Sequence, residues 1–350
     1  MVLGKFEVDI KILKMRKIAI HCRQGSFSER WIEYCKENNI PYKIVNAYDS
    51  DIIKQVEDCE AFMWHHLQNN YKDALFAKQL LYSLQTAGKK VFPDFHTGWH
   101  FDDKVGQKYL LESIGAPLVP SYVFYTKKDA LDWVSNTSFP KVFKLRGGAG
   151  AENVRLVHSK TEAKRLIRKA FGRGFPQYDT KSHLKDVYVK WKQGKVSFLE
   201  VCRGLAHLFI PIRNAKFHAN ENGYAYFQDF IPNNKYDIRV IVIGDKAFAI
   251  KRMCRPDDFR ASGSGNIIYE RSEIDLRCVK MSFDVAAKLK TTSVATDWVR
   301  TPIDEWFVVE LSYGFAMHGY DTCPGYWTND MQWHEGQFNP QGWMVEEMLK

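Results

Sequence analysis

Two acidic residues near the end of the chain are spaced for metal binding. If segments 294–300 and 306–311 form a hairpin that turns just after Ile303, Asp297 and Glu310 face each other on adjacent strands. Carboxylates opposed in this way have Cβ atoms about 5 Å apart and repel each other. A bound Mg²⁺ would relieve the repulsion, because this ion prefers oxygen ligands and also binds phosphate groups. The pair therefore predicts a magnesium site.

A third oxygen lies two residues beyond the pair. Ser312 shares a strand face with Glu310 by the two-residue alternation of a strand, so its hydroxyl would add to the metal ligands. Because the two acids repel each other, neutralising Asp297 or Glu310 is expected to leave the fold intact or slightly more stable. The alternative interpretation is a solvated surface pair, or a register in which the two acids do not meet.

A glycine-rich segment follows a strand that carries a lysine. Lys144 and Arg146 supply positive charge, and Gly147, Gly148 and Gly150 let backbone N–H groups approach phosphate oxygens closely. The spacing matches neither the Walker A loop nor the dinucleotide-binding glycine motif. The segment predicts a phosphate-covering flap, with an ordinary hairpin turn as the alternative.

A second hairpin, centred on residues 244–245, carries a row of charges. Pairing about this turn puts Asp237 opposite Arg252, with Arg239 on the same face. Arg260 follows in a loop of small residues that would suit a polyanion. The alternative is a solvated outer face that keeps the protein soluble.

The elements that must hold these residues are of two kinds. Before residue 99, short apolar strands alternate with amphipathic helices, which is typical of a parallel sheet covered by helices. The strand segments are 18–21, 42–45, 61–65 and 91–93. After a helix at 103–114, strands with tight turns dominate and indicate an antiparallel sheet. The predicted fold class is therefore α/β followed by α+β.

Composition limits the class of protein. The 350 residues are 45% hydrophobic and 26% charged, which is typical of a globular chain with a sizeable core. No stretch reaches the roughly 18 uninterrupted apolar residues of a membrane span. The seven cysteines include no C-x-x-C pair, so neither a disulfide framework nor a zinc site is predicted, and a cytoplasmic location is expected. The net charge of +9 favours an acidic partner, but no nucleic-acid module is recognised, so nucleic acid is ranked last.

Taken in chain order, these segments resemble the ATP-grasp superfamily, especially the branch of glutathione synthetase and the ribosomal-protein glutamate ligase. Lys104 resembles the first nucleotide-binding lysine of that family, and Lys144 with its glycines resembles the second lysine and its flap. The other matches are Asp229, Phe230 and Ile231 at the adenine hinge, Asp237 beside the nucleotide, Arg260 near the phosphates, and Asp297 and Glu310 at the metal.

Two positions depart from the family pattern. Ser312 stands where family members usually have asparagine, and Asp229 stands where glutamate is commoner. The change at Ser312 keeps open a second hypothesis, in which the protein binds ATP but has lost ligation and acts as a sensor or scaffold.

The resemblance implies the ATP-grasp fold, with a pre-ATP-grasp domain at 1–98 and an ATP-grasp domain at 99–350. The latter would divide into a lid at about 119–230 and a catalytic part at about 231–350. The cofactors would be ATP and Mg²⁺. A carboxylate would take the γ-phosphate to form an acylphosphate, which an amine would then displace. The candidate catalytic residues are Arg239, Arg252 and Arg260. A homo-oligomer is left open.

The C-terminal stretch 319–327, together with Trp333 and Trp343, is rich in aromatic residues. Burial in a core or an interface is the favoured interpretation. The alternative is stacking against a sugar ring, which would favour a uronic acid or another glycan-linked carboxylate as the acyl substrate. That alternative fits a resemblance to ATP-grasp proteins of polysaccharide biosynthesis.

Overall fold

Three β-sheets organise the described part of the chain in the computed structural model. The described residues are 16–148, 153–176, 184, 187–188, 191, 197–209, 220–255 and 258–350. Gly150, one of the predicted flap glycines, lies outside them.

The first sheet is parallel, as predicted, and has the strand order β2-β1-β3-β4. Its strands are β1 (Ile18–His21), β2 (Tyr42–Val45), β3 (Ala61–Met63) and β4 (Lys90–Phe92). The accompanying helices are α1 (Phe27–Glu37), α2 (Ile52–Gln55), α3 (Tyr71–Thr86) and α4 (Phe95–Gly98). Every residue of β1 and β3 is buried, as expected for strands covered on both faces.

Helix α5 (Lys104–Ser113) leads from the first sheet into the rest of the chain. The Asp103 carboxylate caps its start by accepting a hydrogen bond of 2.9 Å from the N–H of Gly106. The helix is followed by Gly115, whose φ of +65° is the left-handed conformation that suits glycine after a helix. The cap makes Lys104 the first helical residue, and its side chain is buried.

The second sheet, called here the small sheet, is antiparallel and has the order β5-β8-β6-β7. Its strands are β5 (Ser121–Phe124), β6 (Lys141–Lys144), β7 (Val154–Val157) and β8 (Ala225–Asp229). Among the described residues of this part of the chain, the helices are α6 (Lys127–Asn136), α7 (Lys160–Ala170) and α8 (Phe198–Phe209). Strand β6 ends at Lys144, directly before the glycine-rich segment.

The third sheet, called here the central sheet, is the predicted antiparallel body. Its order is β13-β12-β9-β10-β14-β15, with β11 paired to β10. The strands are β9 (Tyr236–Ile243), β10 (Lys246–Met253), β11 (Ile267–Ile268), β12 (Ser293–Arg300), β13 (Trp306–Ser312), β14 (Gly325–Thr328) and β15 (Trp333–Glu335). Its helices are α9 (Leu276–Leu289) and α10 (Pro340–Leu349). Apolar residues of β9, β12 and α9 share one core.

The aromatic C-terminal stretch contributes mainly to cores, which confirms the burial interpretation. Trp327 lies in the core under α9, and Trp343 lies in a second core that joins the first sheet to the central sheet. Tyr320 belongs to the second core and also borders a cavity. Within the described part of the chain, no helix combines the length and the apolar character needed to cross a bilayer.

The hairpin of β14 and β15 offers a test of the packing. A Cβ atom at Gly325 would lie 2.2 Å from the backbone oxygen of His334, so Gly325→Ala is expected to lower the free energy of unfolding by about 1–3 kcal/mol. Urea unfolding measures this change. Gly319→Ala is the control, because a Cβ there meets no atom within 4 Å, and its effect should stay within about 0.5 kcal/mol. Equal effects of the two substitutions would contradict the packing.

Candidate nucleotide and metal site

Asp297 on β12 and Glu310 on β13 are direct cross-strand partners, as predicted. The predicted turn position was wrong, because Arg300 pairs with Trp306 and the hairpin is therefore centred on Ile303 rather than just after it. A register shift between Asp297 and Trp298 adds one residue on β13 and restores the pairing. The two acids thus oppose each other because of a β-bulge.

Each of the two acids has a cationic partner. Arg239 Nε donates to Asp297 Oδ1 at 2.6 Å, and an Arg252 terminal nitrogen lies 2.9 Å from Asp297 Oδ2. Lys104 Nζ lies 3.0 Å from Glu310 Oε1. Burial raises the pKa of Asp297, but the two arginines outweigh burial and hold this pKa below its usual value. These two bonds argue against the expectation that neutralising Asp297 leaves the fold intact or slightly more stable, because the guanidinium groups of Arg252, which is buried, and Arg239, which is partly buried, depend on this carboxylate.

The charged row on the second hairpin is also confirmed in register. Asp237 pairs with Arg252 across β9 and β10, and Arg239 lies two residues from Asp237. Arg252 donates two hydrogen bonds, of 2.7 and 2.6 Å, to the Asp237 carboxylate. The solvated outer face was the wrong alternative, since Asp237 is 7% exposed and Arg252 only 6%. Arg239, Arg252, Asp237 and Asp297 form one ionic cluster, which is buried except for the partly exposed Arg239.

Two buried lysines, one on α5 and one on β6, contact strand β13. Lys104 Nζ donates to the backbone oxygen of Gly148 at 2.6 Å. Burial lowers the pKa of Lys104, but Glu310 and Asp102 more than offset burial and raise it. Lys144 at the end of β6 donates to the backbone oxygen of Val309 at 3.4 Å. Its burial lowers the pKa to about 8, so the two lysines lie in opposite electrostatic environments.

Two cavities meet at the paired acids. The smaller, of about 130 Å³, lies between the small and central sheets, and the larger, of about 520 Å³, reaches the first sheet at His65. Both are bordered by Ala261, Ser262, Asp297 and Glu310. Predicted residues on the smaller cavity are Lys144, Asp229, Phe230, Ile231, Asp237 and Arg260, and those on the larger are Arg239, Arg252 and Ser312.

Three of these residues have local partners. The Asp229 carboxylate accepts a hydrogen bond of 2.5 Å from Lys141 Nζ, which ties the end of β8 to β6. Arg260 donates to Asp258 through Nε and a terminal nitrogen, at 2.9 and 2.7 Å. The Ser312 hydroxyl donates to the backbone oxygen of Gly314 at 2.8 Å. Binding of an anion at Arg260 or a cation at Ser312 would therefore compete with these contacts.

The predicted flap glycines Gly147 and Gly148 do not border either cavity. The N–H of Gly148 donates to Asp102 Oδ1 at 2.7 Å, so an aspartate holds the flap glycine. Sequence reasoning missed Asp102, which borders the larger cavity and precedes the identified Lys104 by two residues. The only sequence signal was its position two residues before Lys104, which resembles the first nucleotide-binding lysine.

The donor set around the two acids fits Mg²⁺ shared with a phosphorylated ligand. Within the described ranges, no group of three or more His, Cys, Asp or Glu residues is arranged to hold a metal ion. Asp297 and Glu310 alone would leave most coordination positions to ligand oxygens and water, which is how Mg²⁺ is usually bound beside phosphates. The fit requires that the ion replace the cationic partners of these acids.

The three sheets, with paired acids between two cavities, match the fold of solved ATP-grasp proteins. No protein-family model matches the sequence, and no curated protein matches it. Solved structures do match over nearly the whole chain.

Three of these solved structures illustrate the likeness. The RimK domain protein ATP-grasp from Sphaerobacter thermophilus is 13% identical with a TM-score of 0.54, covering 95% of this chain and 100% of that one. The ATP-grasp ligase PsnB, complexed with its minimal precursor, is 13% identical with a TM-score of 0.56, covering 96% and 99%. The biotin carboxylase domain of the Hydrogenobacter thermophilus 2-oxoglutarate carboxylase, with MgADP, is 14% identical with a TM-score of 0.57, covering 95% and 69%. At these identities, the likeness establishes the fold.

Proposed function

We propose that the chain is an ATP-dependent, ADP-forming ligase that joins a carboxylate to an amine. The observation that carries this proposal is that Asp297 and Glu310 border both cavities, with Lys104 bound to Glu310. A phosphate at this point would meet a metal-binding acid pair, while a second substrate would occupy the larger cavity. The ligand MgADP of the structurally similar biotin carboxylase domain is consistent with this assignment.

ATP would occupy the smaller cavity. Phe230 and Ile231 of the hinge would contact the base, and Asp229 and Asp237 would lie near the nucleotide. Lys104, Lys144 and Arg260 would disperse the phosphate charge. Gly147 and Gly148, with Gly150, would cover the phosphates once the Gly148 amide is free of Asp102. The smaller cavity is below the 300–1,000 Å³ typical of ligand sites, so binding would require the small and central sheets that border it to move apart.

Asp297 and Glu310 would hold Mg²⁺, with Ser312 as a third candidate ligand. When bound, this ion would neutralise phosphate charge and orient the transferred group. Arg239 and Arg252 would steady the acylphosphate or the acceptor carboxylate by paired hydrogen bonds. In the reaction, a substrate carboxylate oxygen bonds to the γ-phosphorus as the bond to ADP breaks. The amine nitrogen then bonds to the acyl carbon, phosphate leaves with the bonding electrons, and the amine releases a proton.

The carboxylate itself is proposed only as a class. A uronic acid or another glycan-linked carboxylate rested on aromatic stacking, yet Trp327 and Trp343 lie in cores. The proposed division is a pre-ATP-grasp domain at 1–98, a lid at about 119–230 and a catalytic part at about 231–350. The free state of all seven cysteines supports the proposed cytoplasmic location.

The test is to mix the purified chain with Mg²⁺-ATP and a panel of small carboxylates and amines. We expect ADP release that requires both a carboxylate and an amine, and a product whose mass is their sum minus water. Glu310→Gln is expected to lower this release at least 100-fold. Nucleotide binding without ADP release from any pair would instead favour the sensor hypothesis. Wild-type turnover by Glu310→Gln would remove the metal assignment.

A further inference from the structure

The first arm of the flap, residues 145–148, is bonded to residues 102–104, at the start of α5. The N–H of Gly148 donates to Asp102 Oδ1 at 2.7 Å, and the oxygen of Gly148 accepts from Lys104 Nζ at 2.6 Å. The backbone N–H of Lys104 donates to the oxygen of Arg146 at 2.9 Å. Three contacts therefore hold this arm against residues 102–104, and one of them uses an amide of the predicted phosphate flap.

The approach of Asp102 to the flap depends on glycine. A Cβ atom at Gly147 would lie 3.0 Å from Asp102 Oδ2, so a larger residue would push this carboxylate away. Gly148 has a φ of +116°, which residues with a side chain rarely adopt. Asp102 itself has a φ of +55°, an uncommon conformation for a residue other than glycine. The local backbone is thus shaped around this carboxylate.

The Asp102 carboxylate is bound to the Gly148 amide, where a nucleotide phosphate is expected to bind. Its carboxylate borders the larger cavity beside Glu310, and burial raises its pKa to about 6. One backbone N–H group donates one strong hydrogen bond, so the Gly148 amide binds either the carboxylate or a phosphate oxygen. A phosphate bound to the Gly148 amide would also be repelled by the Asp102 carboxylate beside it.

We propose that Asp102 sets the nucleotide affinity of the site by competing with nucleotide phosphate oxygens for the Gly148 amide. This inference rests on the proposed nucleotide-binding function. Asp102 is a positioning residue in this scheme, because it acts through the flap. Nucleotide binding then replaces the Asp102 carboxylate with a phosphate oxygen at the Gly148 amide. The cost of displacing the carboxylate weakens the observed nucleotide affinity.

Titration calorimetry of the full chain with Mg²⁺-ADP tests the competition. Asp102→Ala is expected to lower the Kd about tenfold or more, since a charged competitor for the amide is removed. Asp102→Asn keeps an acceptor without the charge and is expected to lower the Kd by several-fold. If Asp102 only supported the flap, both variants would bind Mg²⁺-ADP more weakly.

Hydrogen–deuterium exchange of the peptide containing Gly148 gives a second readout. Without nucleotide, exchange should be faster in Asp102→Ala than in the wild type, and Mg²⁺-ADP should slow it in both. Asp103→Asn is the matched control, because it removes a neighbouring charge while asparagine retains the helix cap, and its Kd should change less than twofold.

Each outcome bears on a different claim. An unchanged or higher Kd in both Asp102 variants, with tight binding by the wild type, would overturn the competition and leave the proposed function standing. No binding of Mg²⁺-ADP by the wild type would overturn the proposed function, and the competition with it. If Asp103→Asn lowered the Kd for Mg²⁺-ADP as much as the Asp102 variants, the effect would come from the general negative charge of this segment. The competition for the Gly148 amide would then be overturned.

Discussion

Asp297→Asn is expected to lower the free energy of unfolding by about 3–5 kcal/mol and to abolish ADP release. The Asp297 side chain is 6% exposed and bonds Arg239 and Arg252. Neutralising this carboxylate leaves Asp237 as the one remaining acid of the buried cluster, facing two guanidinium groups. Urea unfolding gives the stability change, and ADP release with substrates from the panel gives the activity.

Glu310→Gln is the matched comparison for this prediction. The Glu310 side chain is 31% exposed, and Lys104 keeps its bond to the Gly148 oxygen, so the expected loss of stability is only about 1 kcal/mol. Both variants should lose ADP release to a similar extent. Equal stability losses in the two variants would contradict the ionic cluster, whereas retained activity in Asp297→Asn would contradict the metal assignment.

Lys144→Met is expected to raise the free energy of unfolding by about 2–3 kcal/mol at pH 7 while removing nucleotide binding. Burial lowers the Lys144 pKa from 10.5 to about 8, so at pH 7 the folded protein holds a charge that it disfavours. Between pH 8 and 10.5 the unfolded chain binds more protons here, and wild-type stability therefore rises with pH. The gain from Lys144→Met should shrink over this range, which unfolding at pH 7 and pH 10 measures.

Lys104→Met is the control and should have the opposite sign. Lys104 bonds the Gly148 oxygen and Glu310, and its pKa is raised, so its removal is expected to lower the free energy of unfolding by about 1–3 kcal/mol. Destabilisation by Lys144→Met, or a gain that does not change with pH, would show that burial does not dominate the environment of Lys144.

Much of the fold and of the acid pair was predictable because strand pairing follows simple rules. The period of two and a tight turn at residues 244–245 were enough to pair Asp237 with Arg252. The Asp297 and Glu310 pairing was predicted with a misplaced turn and depends on a bulge that no local pattern indicates. Bulges depend on the fit of neighbouring strands, so a single hairpin sequence does not reveal them.

Contacts between distant segments were not predictable. The bond from Gly148 to Asp102 joins residues 46 positions apart in different elements. The bond from Lys144 to the Val309 oxygen spans 165 positions. Such contacts arise when sheets pack against each other, and periodicity within one segment carries no information about them. Asp102 was therefore missed although its neighbours were identified.

The ionic cluster couples the binding of the metal ion to the binding of an anionic substrate. Arg239 and Arg252 both bond Asp297, so a divalent ion at this carboxylate would release Arg239 toward the larger cavity and leave Arg252 held by Asp237 alone. An anionic substrate at those arginines would in turn free the carboxylate for the ion. By linkage, each ligand should increase the affinity for the other by the same factor, which makes the resting salt bridges a source of positive cooperativity.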